Sequence, residues 1–333
     1  MATLLSLFIS CNAQSTSKGY LLALSKTDHT LAIVDPATLN VLGKVPVGID
    51  PHEVIASTDG KTAYVTIYGG GSLHEINVID VISKKALSTI DTRPLYGPHG
   101  IVFVNGYVWF SAEGSKAVGR YDPQANKIDW SMGTGQERTH MIYVTPDLKK
   151  IYTTNIASGT VSILSATSIP PPPNAPATAK PREDWTQILV PVSKGSEGFD
   201  VLGDSTELWT ASGQDGVISI VDLKTNSLAS KIDANVVGAN RLRFTPDGKM
   251  ALISSLRSGD LTVYDVKTRK EIKKVKMGGA GAAGIEFDPN GSRAFVACTP
   301  DNFIVVIDLK SLEVTSKINV GGGPDGMAWA HVQ

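Results

Sequence analysis

The sequence predicts an all-β fold, a seven-bladed β-propeller with four-stranded blades, and three observations lead to this expectation. A short, alternating apolar segment ending in Asp or Ser recurs seven times along the chain. Each copy is preceded by a second strand-like segment and by a turn rich in Gly and Asp. The two ends of the chain also read as complementary parts of one repeat unit. Short strands and turns at a fixed spacing indicate radially repeated sheets.

The recurring segments have the form of "TLAIVD", "EINVID" and "FIVVID", and their spacing is nearly constant. The seven copies end at Asp35, Asp80, Asp122, Ser165, Asp222, Asp265 and Asp308. Successive copies lie 42 to 45 residues apart, except for one gap of 57. Each unit reads as four strands, and a lone four-stranded sheet cannot bury both of its faces. A ring of seven such sheets buries each one against its neighbours.

The chain termini predict how the ring closes. The segment "GYLLALS", from Gly19, has the pattern of the second strand of a unit, and "PDGMAWAHV", from Pro324, has that of a first strand. Together they complete one blade and leave no open sheet edge. We therefore expect a single propeller domain over residues 19–333, preceded by a separate segment over residues 1–18.

The long gap contains a proline-rich surface insertion at about residues 166–185. It includes four consecutive prolines, Pro170 to Pro173, and its composition favours an extended linker without internal hydrogen bonds. It joins the third and fourth strands of one unit, so we expect it on the face opposite the loops that lead into the first strands.

Composition limits the possible partners. The 333 residues include 31 Lys plus Arg and 32 Asp plus Glu, and no basic run stands out, so nucleic acid is not an expected partner. No apolar run reaches the roughly 20 residues that a membrane helix needs. A small molecule is the expected partner, with membrane contact only through a lipid anchor. The oligomeric state is left open.

The two cysteines exclude a disulfide framework. Cys298 lies in the strand-like "AFVACT" and is expected to be a buried thiol. Cys11 follows the apolar "LLSLFIS" and precedes the polar "NAQSTSKGY", which resembles a bacterial lipoprotein signal with Cys11 as the lipidated residue. Phe8 and Ile9 are bulkier than usual before such a site and no Lys or Arg precedes the apolar run, so a frayed apolar terminus is the alternative. We expect an exported periplasmic or cell-surface lipoprotein.

The repeat motifs resemble those of a known family. "TAYVT", "PDGK", "SGTVSILS" and "GVISIVD" are similar to the YVTN-type repeats of periplasmic and cell-surface propellers, and the chain resembles the YncE-like proteins in particular. The likeness runs from about Gly19 to Trp329. It implies the propeller fold and an exported location, and it implies little about activity, because one propeller fold hosts many functions.

Aligning the starts of the first strands reveals a ring of polar residues. One equivalent position holds His52, His99, His140, Glu197, Asn240, Ala283 and Asp325. The first strand of every blade lines the central channel, so these side chains are expected to converge. His52, His99, His140 and Glu197 have the ligand types of Zn²⁺ or a similar divalent transition metal, which is the predicted cofactor. The alternative is a channel of polar side chains hydrated by water.

Loops on the same face supply further candidates. We predict Glu113 as a general base and Arg241 as a group that holds an anionic part of the substrate. The predicted ligand-binding residues are Tyr68, Asn155, Asn240, Arg257 and Asp325.

Three classes of function fit these features. The first is a metal-dependent hydrolase, lactonase or lyase acting on a small molecule. The second is a non-catalytic module that binds a small ligand or a metal. The third is a cell-envelope interaction protein that works through its blade edges and loops. Metal content and turnover of a lactone or ester panel distinguish the three.

Overall fold

Seven four-stranded antiparallel sheets form a closed ring in the computed structural model, which describes residues 19–176 and 178–332. The predicted seven-bladed β-propeller is thereby confirmed. Cys11 and the predicted signal segment lie outside the described residues. Within the described ranges, no helix is long and apolar enough to cross a membrane.

The strands are numbered along the chain, and the blades are numbered from the first complete one. Blade 7 combines β1 (Gly19–Ser25), β2 (Thr30–Val34) and β3 (Val41–Pro46) with the last strand, β28 (Pro324–His331). Blade 1 contains β4 (Pro51–Ala56), β5 (Thr62–Ile67), β6 (Glu75–Asp80) and β7 (Lys85–Asp91). Blade 2 contains β8 (Pro98–Val104), β9 (Tyr107–Ala112), β10 (Ala117–Asp122) and β11 (Lys127–Gly133). Blade 3 contains β12 (Thr139–Val144), β13 (Lys150–Asn155), β14 (Thr160–Ile169) and β15 (Arg182–Pro191).

The remaining three blades follow the same order from the channel outward. Blade 4 contains β16 (Ser196–Val201), β17 (Glu207–Ser212), β18 (Val217–Asp222) and β19 (Ser227–Asp233). Blade 5 contains β20 (Ala239–Phe244), β21 (Met250–Ser255), β22 (Asp260–Asp265) and β23 (Lys270–Lys276). Blade 6 contains β24 (Ile285–Phe287), β25 (Arg293–Cys298), β26 (Phe303–Asp308) and β27 (Glu313–Ile318). Three single-turn 3₁₀ helices lie between second and third strands, at Gly69–Gly71, Glu113–Ser115 and Thr299–Asp301.

The two ends of the chain close the ring as the sequence predicts. Strand β28 pairs antiparallel with β1, with Leu21 opposite Trp329 and Leu22 opposite Ala328. The last strand of the chain thus becomes the innermost strand of blade 7. Because each end fills the place that the other lacks, neither leaves an unpaired strand edge at the closure.

The recurring aspartates terminate the third strands. Asp80, for example, ends β6, and its Oδ1 accepts hydrogen bonds from the backbone N–H groups of Ile82 at 2.9 Å and Ser83 at 2.8 Å. This Asx turn fixes the reversal into the fourth strand. The fourth copy ends in Ser165 instead, and there the strand continues to Ile169, which pairs with Arg182. The missing aspartate therefore coincides with the one extended hairpin of the ring.

The proline-rich insertion is shorter than the sequence predicts. Its flanks, Ala166–Ile169 and Arg182–Trp185, are paired strand, which leaves residues 170–181 as the connection. The run from Pro170 to Pro173 is largely exposed. Because antiparallel strands alternate in direction, this connection lies on the face opposite the loops that lead into the first strands.

The hydrophobic core lies between adjacent blades. The contact of blades 2 and 3, for example, buries Trp109, Val118, Ile142, Ile151 and Leu164, each at most 5% exposed. Burial of apolar surface contributes about 25 cal/mol per Å². Because these layers hold the blades together, the polar residues around the channel are free to serve another purpose.

The innermost strands share an irregularity at the predicted site. Pairing with the second strand slips between Pro51 and Val54 in blade 1, and at the equivalent place in blades 2, 3, 4 and 5. Such bulges turn consecutive side chains toward one side. A glycine follows the site residue in several blades. A Cβ on Gly100 would lie 2.7 Å from the carbonyl oxygen of His140, so glycine permits this close approach of neighbouring strands.

Candidate functional site

The predicted ring of polar residues forms one end of the central channel, which we call the upper mouth. It consists of His52, His99, His140, Glu197, Asn240, Ala283 and Asp325. A cavity of about 210 Å³ lies there. All seven ring residues line it, together with Lys26, Tyr68, Arg138, Arg241, Leu256 and Thr299.

Hydroxyl groups of the second strands hold the ring residues in place. The Thr66 hydroxyl donates to the backbone oxygen of His99 at 2.8 Å, and the Thr154 hydroxyl donates to that of Glu197 at 2.6 Å. Ser111 makes the same contact with His140. Each donor belongs to the blade before that of its acceptor, so these hydrogen bonds link neighbouring blades at the site.

The three histidines contact one another in a row. The ring centroids of His52 and His99 are 4.6 Å apart, and those of His99 and His140 are 3.7 Å apart with planes inclined by 33°. Tyr68 packs edge-on against His99, with centroids 5.1 Å apart. The three histidines that align in sequence therefore have their imidazoles in contact, with tilted ring planes.

His140 lies between two carboxylates. Its Nδ1 is 2.6 Å from Glu113 Oε2, and its Nε2 is 3.2 Å from Glu197 Oε1. Although burial opposes it, these hydrogen bonds raise the pKa of His140 above its ordinary value. For the same reason, and again against the effect of burial, the pKa of each glutamate is held at about 2. The arrangement therefore favours the imidazolium form of His140 between two ionised carboxylates.

His99 differs from its neighbour. It is 1% exposed, and burial lowers the pKa of its imidazole well below the ordinary value, aided by the positive charge of His140. Its ring makes no hydrogen bond with residues 19–176 or 178–332, and its Nδ1 is a buried polar atom without a partner. The centre of the upper mouth thus presents a neutral imidazole with unused hydrogen-bonding capacity.

Ion pairs surround the histidines. Arg241 Nη1 donates to Glu197 Oε1 at 3.1 Å, and its Nη2 contacts Glu53 across the channel. Asn240 Nδ2 also donates to Glu197, at 2.7 Å. On the other side, Lys26 Nζ lies 2.8 Å from His52 Nε2 and 3.4 Å from Asp325 Oδ2.

Glu113, the predicted general base, already has three partners. Its Oε1 accepts from the Tyr68 hydroxyl at 2.5 Å and from Arg138 Nε at 3.1 Å, while its Oε2 faces His140. With both oxygens engaged and a pKa near 2, this carboxylate is a better orienting group than proton acceptor.

Two predicted ligand-binding residues are not brought to the cavity. Asn155 is buried in blade 3, where its amide donates to Ser162 at 2.8 Å and to Thr160 at 3.0 Å. Arg257 is exposed on the loop after β21 and does not line the cavity. Tyr68, Glu113, Asn240, Arg241 and Asp325 do join the histidines.

Sequence reasoning missed several site residues. Lys26 and Arg138 line the cavity. Asp50 contacts the lining residue His52, and Glu53 contacts the lining residue Arg241. A signal for two of them exists in the sequence. Two positions before each ring residue, five blades have glycine, whereas blades 1 and 3 have Asp50 and Arg138.

The metal prediction concerns the same side chains. Among the residues that the structure describes, no group of three or more His, Cys, Asp or Glu side chains is arranged so that it could hold a metal ion. The close ring contact of His99 with His140 and the hydrogen bonds of His140 to two carboxylates account for this. A shared ion would require these side chains to exchange their present partners.

Comparisons with known proteins support the fold. No family model matches the chain, and no curated protein matches it. A functionally unknown protein from Desulfotomaculum acetoxidans superposes with a TM-score of 0.75 at 12% identity, covering 95% of this chain and 100% of its own. A "putative 6-phosphogluconolactonase" from Bacteroides fragilis has a TM-score of 0.74 at 16% identity, covering 95% and 99%. Kuenenia stuttgartiensis hydrazine synthase has a TM-score of 0.67 at 13% identity, covering 84% and 89%.

These likenesses define the class of the protein as a β-propeller. At 12% to 16% identity they carry the fold alone. The function has to be argued from the upper mouth itself.

Proposed function

We propose that this protein binds a small polar molecule in the upper mouth of its channel. The observation that carries the proposal is His99, a buried neutral imidazole that lines the cavity and makes no hydrogen bond through its ring to the described residues. Buried polar groups are normally satisfied, and an exception at the centre of a polar cavity favours a ligand there. Asn240 and the surrounding charges would orient that ligand.

A comparison of two histidine variants tests the proposal. His99→Ala removes the free imidazole from the cavity, whereas His29→Ala changes an exposed histidine in the β1–β2 turn. Calorimetric screening of small hydroxy acids, lactones, esters and amides should find a ligand for the wild type and for His29→Ala that His99→Ala loses. Equal binding by all three proteins would contradict the proposal.

A divalent metal ion is the second candidate for the site, and the convergence of three imidazoles favours it. His52, His99, His140 and Glu197 would hold Zn²⁺ or a similar ion once His140 has broken its hydrogen bond to one of the two glutamates. Elemental analysis of the purified protein before and after chelation tests this. A stoichiometric metal that disappears in His99→Ala supports it, and a metal-free wild type that binds no added metal refutes it.

Catalysis is a separate question from binding. With a metal, or with His140 as a proton-transfer group oriented by Glu113, the site would support hydrolase, lactonase or lyase chemistry, with Arg241 next to the substrate. Turnover of the lactone and ester panel distinguishes an enzyme from a binding module. If neither turnover nor ligand binding is found, the third class, a cell-envelope interaction protein, becomes the favoured function.

We also propose that the protein is exported and anchored through Cys11. The support is the apolar segment and the polar tether around this cysteine, together with the resemblance to the YVTN-repeat, YncE-like proteins. Cys11→Ser should move the protein from the membrane fraction to the soluble fraction. A wild-type protein that fractionates with the cytoplasm would contradict this.

A further inference from the structure

The backbone two residues before each ring residue has a recurring conformation. In six of the seven blades, φ at this position is positive, in the left-handed region. The six residues are Asp50 (55°), Gly97 (65°), Arg138 (57°), Gly195 (81°), Gly238 (83°) and Gly323 (62°). Glycine suits this conformation, and larger side chains are disfavoured there. Asp50 and Arg138 therefore depart from the residue that the backbone prefers.

Both exceptions direct a side chain into the upper mouth. Asp50 Oδ1 lies 3.0 Å from His52 Nε2, and its Oδ2 accepts from the backbone N–H of Gly70 at 3.1 Å. Asp50 is thus accounted for, because it orients a ring histidine. Strained backbone that persists beside a cavity is a reason to look for function.

Only part of the Arg138 guanidinium has a hydrogen-bond partner among the described residues. Its Nε donates to Glu113 Oε1 at 3.1 Å, while its two terminal nitrogens make no hydrogen bond with any residue in 19–176 or 178–332. The side chain lines the cavity and is 48% exposed, whereas that of Glu113 is 8% exposed. The guanidinium is therefore held at Nε by the buried carboxylate of Glu113. Its two terminal nitrogens, which we call the fork, point toward solvent.

We propose that Arg138 sets the ligand specificity of the upper mouth, and that its terminal nitrogens bind an acidic group of the ligand, a carboxylate or a phosphate. The inference rests on the proposed function, since it names the class of ligand for the same site. A planar guanidinium matches two oxygens of such a group with two parallel hydrogen bonds. Glu113 fixes the guanidinium plane before the ligand arrives.

The other charges of the mouth agree with this assignment. Lys26 is paired with Asp325, Arg241 with Glu53 and Glu197, and His140 with Glu113 and Glu197. Among the described Lys and Arg residues that line the cavity, Arg138 is the one whose side chain has terminal nitrogens without a hydrogen bond or an opposite charge of their own. The cavity of about 210 Å³ is smaller than the roughly 300 Å³ at which drug-sized pockets begin. The ligand is therefore a small acid whose neutral part reaches His99.

Variants at position 138 separate binding from folding. Arg138→Gly removes the fork and relieves the left-handed backbone, so its thermal stability should stay close to that of the wild type. Arg138→Lys keeps the charge and loses the fork. Lys84→Gly is the control, because Lys84 also has a positive φ, 56°, but lies in the β6–β7 turn on the opposite face.

The binding experiment uses matched probes, measured by calorimetry on the full chain. The probes are lactate with lactamide, succinate with succinamide, glycerol phosphate with glycerol, and inorganic phosphate. For wild type and Lys84→Gly, at least one acid should bind about tenfold or more better than its neutral partner, the value of a charge-assisted hydrogen bond. Arg138→Gly should erase that preference, and Arg138→Lys should weaken it. The arms that bind distinguish a carboxylate from a phosphate.

Two results would overturn the inference in different ways. If neutral partners bind the wild type as well as the acids do, or if Arg138→Gly keeps the preference, Arg138 is not the specificity residue and the small-ligand proposal survives. If the wild type binds none of these probes, and the wider screen finds no ligand that the wild type binds and His99→Ala loses, the proposed function fails. The inference then fails with it.

Discussion

The two ends of the channel are built from the same seven strands, yet their chemistry differs. The upper mouth contains three imidazoles in contact and a cavity lined mainly by charged and polar groups. Three positions further along the same strands, toward the end that we call the lower mouth, the residues are Ile55, Val102, Tyr143, Asp200, Arg243, Glu286 and Ala328. A cavity at that end is lined by Ile55, Phe103, Ala328 and Trp329, with Glu286 among them.

The lower mouth also carries a charged cluster, in which the charges are paired with one another. Arg243 Nε lies 3.4 Å from Asp200 Oδ2, and its Nη1 lies 3.5 Å from Glu286 Oε2. Asp200 also accepts from the backbone N–H of Phe244 at 2.9 Å. In the upper mouth, the ring of His99 and the terminal nitrogens of Arg138 make no hydrogen bond with the described residues. The proposed ligand site is at this end, where both groups line one cavity.

Removing the strand that contributes to both mouths should have the largest effect. Deletion of residues 324–333 takes away β28, which pairs with β1 and supplies Asp325 above and Ala328 below. The ring then has an open edge, so we expect aggregation. Size-exclusion chromatography with light scattering measures this, and a soluble monomer with intact β-structure would refute the closure mechanism.

A pair of arginine variants compares the two clusters directly. Arg241→Leu leaves the largely buried Glu53 without its cation and Glu197 with His140 alone, which should cost about 3–5 kcal/mol of unfolding free energy. Arg243→Leu affects a side chain that is 37% exposed, and the cost of such a pair is about 1 kcal/mol or less. Urea denaturation measures both. Equal losses would show that the clusters serve the same purpose.

Acidification should affect the two ends in opposite directions. Glu113 and Glu197 have pKa values of about 2, against a usual value of 4.5, so the stability they confer is complete above pH 4.5 and is lost as the pH falls to 2. Burial raises the pKa of Asp200, so the folded protein takes up its proton more readily and gains stability on acidification. Glu113→Gln should therefore flatten the loss between pH 4.5 and 2. Asp200→Asn should remove a gain that is complete once the pH has fallen to 3.8, the ordinary pKa of Asp. Thermal melts from neutral pH to about pH 2 measure both effects, and profiles identical to that of the wild type would contradict the assignment.

The sequence predicts the fold because its repeats have a local cause. Aspartates such as Asp80 recur because each closes the same turn, and Ser165 replaces one of them where the hairpin continues. The histidines were likewise found by alignment, since equivalent positions of a ring converge on its axis.

The rest of the site depends on geometry that a linear pattern does not contain. Asn155 has a polar side chain on the correct face, but hydroxyl partners within blade 3 hold it away from the cavity. In the sequence, Arg138 is marked only by its departure from the glycine of five other blades, and the role proposed for it rests on a left-handed φ and on terminal guanidinium nitrogens without a hydrogen bond to the described residues. The ligation proposed for the histidines depends on ring orientation, which residue spacing does not determine.

The central claim is that the upper mouth binds a small ligand, and histidine-selective NMR tests it most directly. The chain has six histidines. Three line the upper cavity, His52, His99 and His140, while His331 lines the lower cavity and His29 and His74 line neither. Single substitutions to Gln assign the six ring signals. Titration with the best ligand from the screen should shift the signals of His52, His99 and His140 and leave the other three unchanged. A titration that shifts only the signal of His331, or that leaves the signals of all three upper histidines unchanged, would contradict the account.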